Sequence, residues 1–301
     1  MNTQDLSLAL QMDSTLGEGI GWHDGRWWWT DIQRKRLHVW DGVAAAPLTA
    51  HLPDRLGSFV HTRSGRMVLG LAKSVVLATQ PDAEGRIEIL QTLAEFEPEL
   101  DGNRSNDGRT DRSGNYVFGT IHDVEDKRAI ASLYQYSARH GLRRLNLPHV
   151  AIANSICFSP DGRTMYFADT LDRRIRQADY DAERAELSNI RTFVEVTTPH
   201  GWPDGAVIDR KGCLWNAQWG AGAVVQYSPE GQVMRTLRLA GPHSSCPAFG
   251  GANGDQLMVT TARQELSEAD LAAWPLSGSL FTLQMDEPLS LPDVLFDDGP
   301  L

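Results

Sequence analysis

Cysteine is scarce in this chain, with Cys157, Cys213 and Cys246 spread over 301 residues and no CxxC pair among them. An odd, widely spaced set excludes a disulfide framework and a thiolate zinc site. Long apolar runs are missing as well, none approaching the roughly 20 residues a membrane span requires. The opening MNTQDLSLALQMD has neither the basic nor the apolar region of a secretory leader, so the expected location is the cytoplasm, with no membrane partner. Basic charge is outweighed: 28 Lys and Arg against 39 Asp and Glu leave a formal net charge of −11. No Lys/Arg cluster overrides that balance, which argues against nucleic acid and leaves a neutral or cationic small molecule as the expected partner. The nine histidines form no HExxH, and there is no GxSxG elbow or GxxxxGK[ST] phosphate loop. Helical periodicity is confined to Ser267–Trp274, where Ser267 is placed to cap and Glu268 and Asp270 occupy the first turn.

A repeat fills the space those absences leave. Six times a turn ends in glycine and is followed by a β-branched or aromatic run, as in Gly25-Arg26-Trp27-Trp28-Trp29-Thr30-Asp31 and Gly162-Arg163-Thr164-Met165-Tyr166-Phe167-Ala168-Asp169. The glycines at 25, 65, 114, 162, 212 and 254 lie 40, 49, 48, 50 and 42 residues apart. Several copies continue into a second strand, for example Arg36-Leu37-His38-Val39-Trp40 and Ala223-Val224-Val225-Gln226-Tyr227. A period near that of a propeller blade predicts an all-β, six-bladed β-propeller with four short antiparallel strands per blade, spanning 1–301 as one domain. A β-sandwich or two smaller β domains is the competing reading, but its hairpins recur at shorter spacing. The segment Leu6-Ser7-Leu8-Ala9-Leu10 alternates at period two and is expected to close the last blade.

Equal offsets from these glycines mark equivalent places around the axis. Asn106, Asn154 and Asp204 each lie 8 residues before their glycine and Glu18 lies 7 before its own, while Ser58 and Cys246 hold the same phase in the remaining blades. Taken singly, Asn106-Asp107-Gly108 and Pro203-Asp204-Gly205 read as ordinary turns. Taken together, they place two carboxylates and amide oxygens at one mouth of the channel, where a divalent cation would offset the cost of burying the charge. All-oxygen donors favour Ca2+, Mg2+ or Mn2+, with Zn2+ or Fe2+ open. Trp27 to Trp29 and Trp215 are expected to fill space between blades, whereas Trp22, Trp202 and Trp219 are candidates for a pocket wall.

These motifs resemble the gluconolactonase, regucalcin and luciferin-regenerating-enzyme group of six-bladed propellers across nearly the whole chain. Leu16-Gly17-Glu18-Gly19 with Trp22, Asn154-Ser155 ahead of Phe158-Ser159-Pro160-Asp161-Gly162, and Pro203-Asp204-Gly205 with Asp209 and Gly212 are similar to its three metal-ligand motifs. The resemblance implies one divalent ion on Glu18, Asn154 and Asp204, with Asp204 also the base, and Arg104 and Asn106 holding substrate. Where many relatives carry an acidic residue after Gly-Thr, this chain runs Gly119-Thr120-Ile121-His122-Asp123, so His122 or Asp123 is expected to contact sugar hydroxyls. The implied activity is metal-dependent hydrolysis of a pentono- or hexono-lactone to the aldonic acid, by a monomer or small homo-oligomer. The alternatives are a non-catalytic calcium-binding propeller and a metal-dependent esterase acting on other esters.

Overall fold

The repeat folds as its spacing predicts. A computed structural model describes residues 2–299 and 301, and its strands group into six small sheets. The chain opens with β1 (Asn2–Asp5) and β2 (Ser7–Leu10). The first blade follows as β3 (Gly17–His23), β4 (Arg26–Asp31), β5 (Arg36–Trp40) and β6 (Leu48–His51). The second is β7 (Leu56–His61), β8 (Met67–Leu71), β9 (Ser74–Ala78) and β10 (Ile89–Glu95), and the third is β11 (Asn103–Thr110), β12 (Tyr116–His122), β13 (Leu133–Ser137) and β14 (Gly141–Arg144). The fourth comprises β15 (Ala153–Phe158), β16 (Thr164–Asp169), β17 (Arg174–Asp181) and β18 (Glu186–Glu195). The fifth comprises β19 (Trp202–Ile208), β20 (Leu214–Trp219), β21 (Ala223–Tyr227) and β22 (Val233–Arg238). β23 (Ser244–Gly250), β24 (Gln256–Thr261) and β25 (Leu280–Gln284) begin the sixth, and β2 completes it by pairing antiparallel with β25.

First strands touch first strands all the way round, β3 to β7, β11, β15, β19, β23 and back to β3, so the sheets form a closed ring, a six-bladed β-propeller. The six marker glycines sit in the turns joining first and second strands with φ between 70° and 86°, a region that penalises any side chain. Their turn role is why the period is legible. Apolar residues bury between neighbouring blades, in six clusters that each draw on two consecutive sheets. Trp27 and Trp29 fill the seam between the last and first blades, and Trp215 that between the fifth and sixth.

Two features go beyond the sequence pattern. β1 runs parallel to β22 as a fifth strand on the fifth blade, and Leu6 donates its N–H to Arg238 O before the chain crosses to the sixth blade as β2. The other is the C-terminal segment, which straps one mouth of the channel. It receives Arg210 N–H at Leu289 O, accepts from Arg112 at Pro292 O (2.8 Å) and from Thr110 at Val294 O (2.5 Å), and bridges Thr62 at Phe296, which is fully buried. A single short α-helix, α1 (Glu268–Ala273), starts at Ser267 through a reciprocal capping box with Asp270. No helix among the described residues is long and apolar enough to cross a membrane.

Candidate active site

The first strand of every blade is interrupted at the same height. Pairing to the second strand slips between Glu18 and Gly21, Leu56 and Ser58, Ser105 and Gly108, Asn154 and Cys157, Pro203 and Ala206, and Ser244 and Pro247. A bulge re-aims the side chains beside it. Asn106-Asp107-Gly108 and Pro203-Asp204-Gly205 are therefore not turns but bulged strand, which frees Asn106 and Asp204 to face the axis. After Glu18 and Asn154 the backbone enters the left-handed region, at Gly19 (φ 58°) and at Ser155 (φ 56°), where a non-glycine residue carries strain.

Four of the phased residues meet at a cavity of about 240 Å3 at the mouth opposite the C-terminal strap. Glu18, Asn106, Asn154 and Asp204 line it together with Arg104 and Asp123. Ser58 and Cys246 do not. Ser58 Oγ is tied to the Tyr116 hydroxyl (2.7 Å), and Cys246 lies at a second cavity of about 260 Å3 under the strap, its thiol pushed well up by burial and inert. Of the two candidates at the end of β12, Asp123 lines the cavity and His122 does not: the buried His122 ring accepts the Arg128 N–H at Nδ1 (3.0 Å), and alternation along the strand turns it away. Trp202 and Trp219 face the site as register partners on the fifth blade, whereas Trp22 belongs to the cavity under the strap. The remaining wall includes Lys127, Thr170, Gln264 and Glu265, which come from connections and carry no motif in the sequence.

Hydrogen bonds fix the amides in relay. Arg104 Nη1 donates to Asn106 Oδ1 (2.9 Å), Asn106 Nδ2 donates to Asn154 Oδ1 (3.1 Å) and to Ala153 O (3.0 Å), Asn154 Nδ2 donates to Thr170 Oγ1 (2.9 Å), and Thr170 donates on to Pro203 O (2.9 Å). Asp204 is held through its backbone, since Ser155 Oγ donates to Asp204 O (2.6 Å) and Asn216 Nδ2 to both Ser155 Oγ and Asp204 O (3.1 Å each). Three blades are thereby locked in one network.

Glu18 and Asp204 are both buried and share the wall of this cavity. Burial, with the charge of Asp107 behind it, pushes Glu18 up to about 8; burial and the charge of Glu18 push Asp204 well above the usual carboxylate range. Such a pair must hold either protons or a cation. Among the described residues no three His, Cys, Asp or Glu side chains cluster as a metal site. The residues that could hold a cation here are the two carboxylates with the Asn154 amide oxygen, whose Nδ2 is already committed to Thr170. That set suits a hard divalent cation.

Residues 16–263 match the family described as the SMP-30/gluconolactonase/LRE-like region. The chain belongs to this family. Among SMP-30/gluconolactonase/LRE-like proteins it is 42% identical to an L-arabinolactonase of Azospirillum brasilense over 92% of its own length and 91% of the relative's. It is 31% identical to a 6-deoxy-6-sulfogluconolactonase of Pseudomonas putida, over 95% and 96% of the two chains. The crystal structure of a calcium-binding protein, regucalcin, from Agrobacterium tumefaciens superposes with a TM-score of 0.89 at 30% identity, covering 98% of this chain and 99% of that one.

Proposed function

We propose that this protein hydrolyses the lactone of a sugar acid, adding water across the ring ester to give the aldonate and one proton, with a pentonolactone as the leading substrate. The observation that carries the reading is the convergence of two buried carboxyls, Glu18 and Asp204, with Asn154, Asn106 and Arg104 on the wall of one cavity. The 42% identity to a protein named for arabinolactone supports the substrate class.

Glu18, Asn154 and Asp204 would hold the divalent ion that this family's regucalcin members are named for binding. When bound, it supplies Lewis acidity to the lactone carbonyl and charge stabilisation to the oxyanion that follows. Asp204 orients the attacking water and takes its proton as general base. Asn106 and Arg104 hold ring oxygen and hydroxyls, and Asp123 accepts from a hydroxyl. Trp202 and Trp219 give the sugar ring an apolar face.

A pH-indicator assay over five- and six-carbon aldonolactones, with spontaneous opening subtracted and with chelation and metal add-back, tests the reading. Acid release that chelation abolishes and a divalent ion restores is the expected result. The regucalcin likeness favours one second reading, a propeller that binds calcium without turnover, for which the same assay gives tight binding and no acid.

A further inference from the structure

Arg104 is buried, and a guanidinium cannot shed its charge. Its counter-ion is Asp123, whose Oδ2 accepts from Arg104 Nε at 2.7 Å. The same oxygen accepts from a second guanidinium, Arg55 Nη1, at 2.9 Å. Arg55 comes from the connection leading into β7 and is absent from the cavity wall, so it holds Asp123 from behind and ties the second blade to the third.

Occupation of Oδ2 by two cations fixes the rotation of the carboxylate. Oδ1 then takes no hydrogen bond among the described residues, and neither does Arg104 Nη2, whose other nitrogens are used by Asp123, Ser105 O and Asn106. An acceptor edge and a donor edge are left side by side on one cavity wall. That pair matches two neighbouring hydroxyls, one donating to Asp123 and one accepting from Arg104, through charge-assisted bonds. Lys127 lines the same wall with its Nζ donating to Val124 O (3.1 Å); burial raises the Asp123 carboxyl, but Arg104, Arg55 and Lys127 together hold it below the usual range. Without Arg55, Oδ2 keeps only the Arg104 Nε contact, and the carboxylate is free to pivot about it and out of register with the donor edge.

We infer that Arg55 is a positioning residue for substrate specificity: by pinning Asp123 against Arg104 it makes the site select lactones that carry vicinal hydroxyls. The inference rests on the lactonase reading and adds to it a residue outside the cavity. Its signature is a ratio. In Arg55→Met, kcat/KM for a pentono-1,4-lactone relative to unsubstituted γ-butyrolactone is expected to fall roughly tenfold, mainly through KM. Arg55→Lys, which keeps the charge but loses the planar fork, is expected to recover part of the ratio. A support role alone would lower both rates together and leave the ratio where it was, which overturns the inference. If Arg55→Met fails to fold by circular dichroism, Arg55→Gln is read in its place, with the same ratio deciding. A wild type that opens neither lactone refutes the lactonase reading and takes this inference with it; an active wild type with an unmoved ratio in the variants refutes the inference alone.

Discussion

At the scale of single residues, the site depends on a few side chains whose surroundings oppose their charge. If Asp204 is the base, Asp204→Asn should lower kcat by at least about 100-fold, since the amide cannot take a proton. Single-turnover kinetics under saturating metal would check this, and an unchanged rate would remove Asp204 from that role. Ser155 tests the scaffold behind it. Its left-handed φ costs about 1 kcal/mol for any side chain, while its hydroxyl anchors the Asp204 carbonyl. Ser155→Gly should therefore unfold at higher denaturant than Ser155→Ala, by about 1 kcal/mol, although both lose the hydroxyl and should lose activity alike. That Glu18, Asn154 and Asp204 share one cavity wall was legible in the sequence, because each sits 7 or 8 residues before a turn glycine. Lys127, Gln264, Glu265 and Arg55 were not, because loops of unequal length bring them to the site and no spacing records that.

At the scale of elements, the six interrupted first strands explain both the site and its crowding. They approach so closely that glycine is required at some contacts. A Cβ on Gly57 of β7 would lie 2.5 Å from Ser105 Oγ and 2.6 Å from the Ser105 backbone of β11, beside Asn106. Gly57→Ala should therefore force two blades apart at the height of the site and cost about 1–3 kcal/mol, measured by denaturant unfolding. A cost within error would mean the strands can slide at no expense. The sequence displayed the hairpins well, since turn glycines and β-branched runs are local signals. It disguised the bulges: Pro203-Asp204-Gly205 has the composition of a turn, and only pairing with β20 shows that it is a strand kinked toward the axis. His122 and Asp123 could not be told apart for a related reason, because neighbours in sequence occupy opposite sides of a strand and composition does not say which side faces the cavity.

At the scale of the whole molecule, the apolar seams between blades also bury titratable groups, His38 among them. His38 is buried against Trp29, its Nδ1 2.9 Å from Thr49 Oγ1. Burial, with the charges of Arg36, His51 and Arg34 added and Asp13 opposing, pushes its pKa down to about 4. On acidification the unfolded chain takes a proton near pH 6.5, whereas the folded chain resists until about pH 4, so between those values the unfolded state binds more protons and stability declines. His38→Gln should flatten that part of the profile relative to wild type when unfolding midpoints are compared at pH 7.5 and 4.5; an unchanged slope would assign the acid sensitivity elsewhere.

The ring itself was readable from the period of its glycines, yet the strap across the far mouth was not, since Leu289 to Asp298 has no strand alternation and is held by scattered carbonyls. Pro292 to Leu295 line the cavity at that mouth, away from the cavity lined by Glu18 and Asp204. Leu301 accepts from Arg66 Nη2 beside the turn between β7 and β8, on the strap side, so a bead or electrode attached there leaves the cavity lined by Glu18 and Asp204 clear.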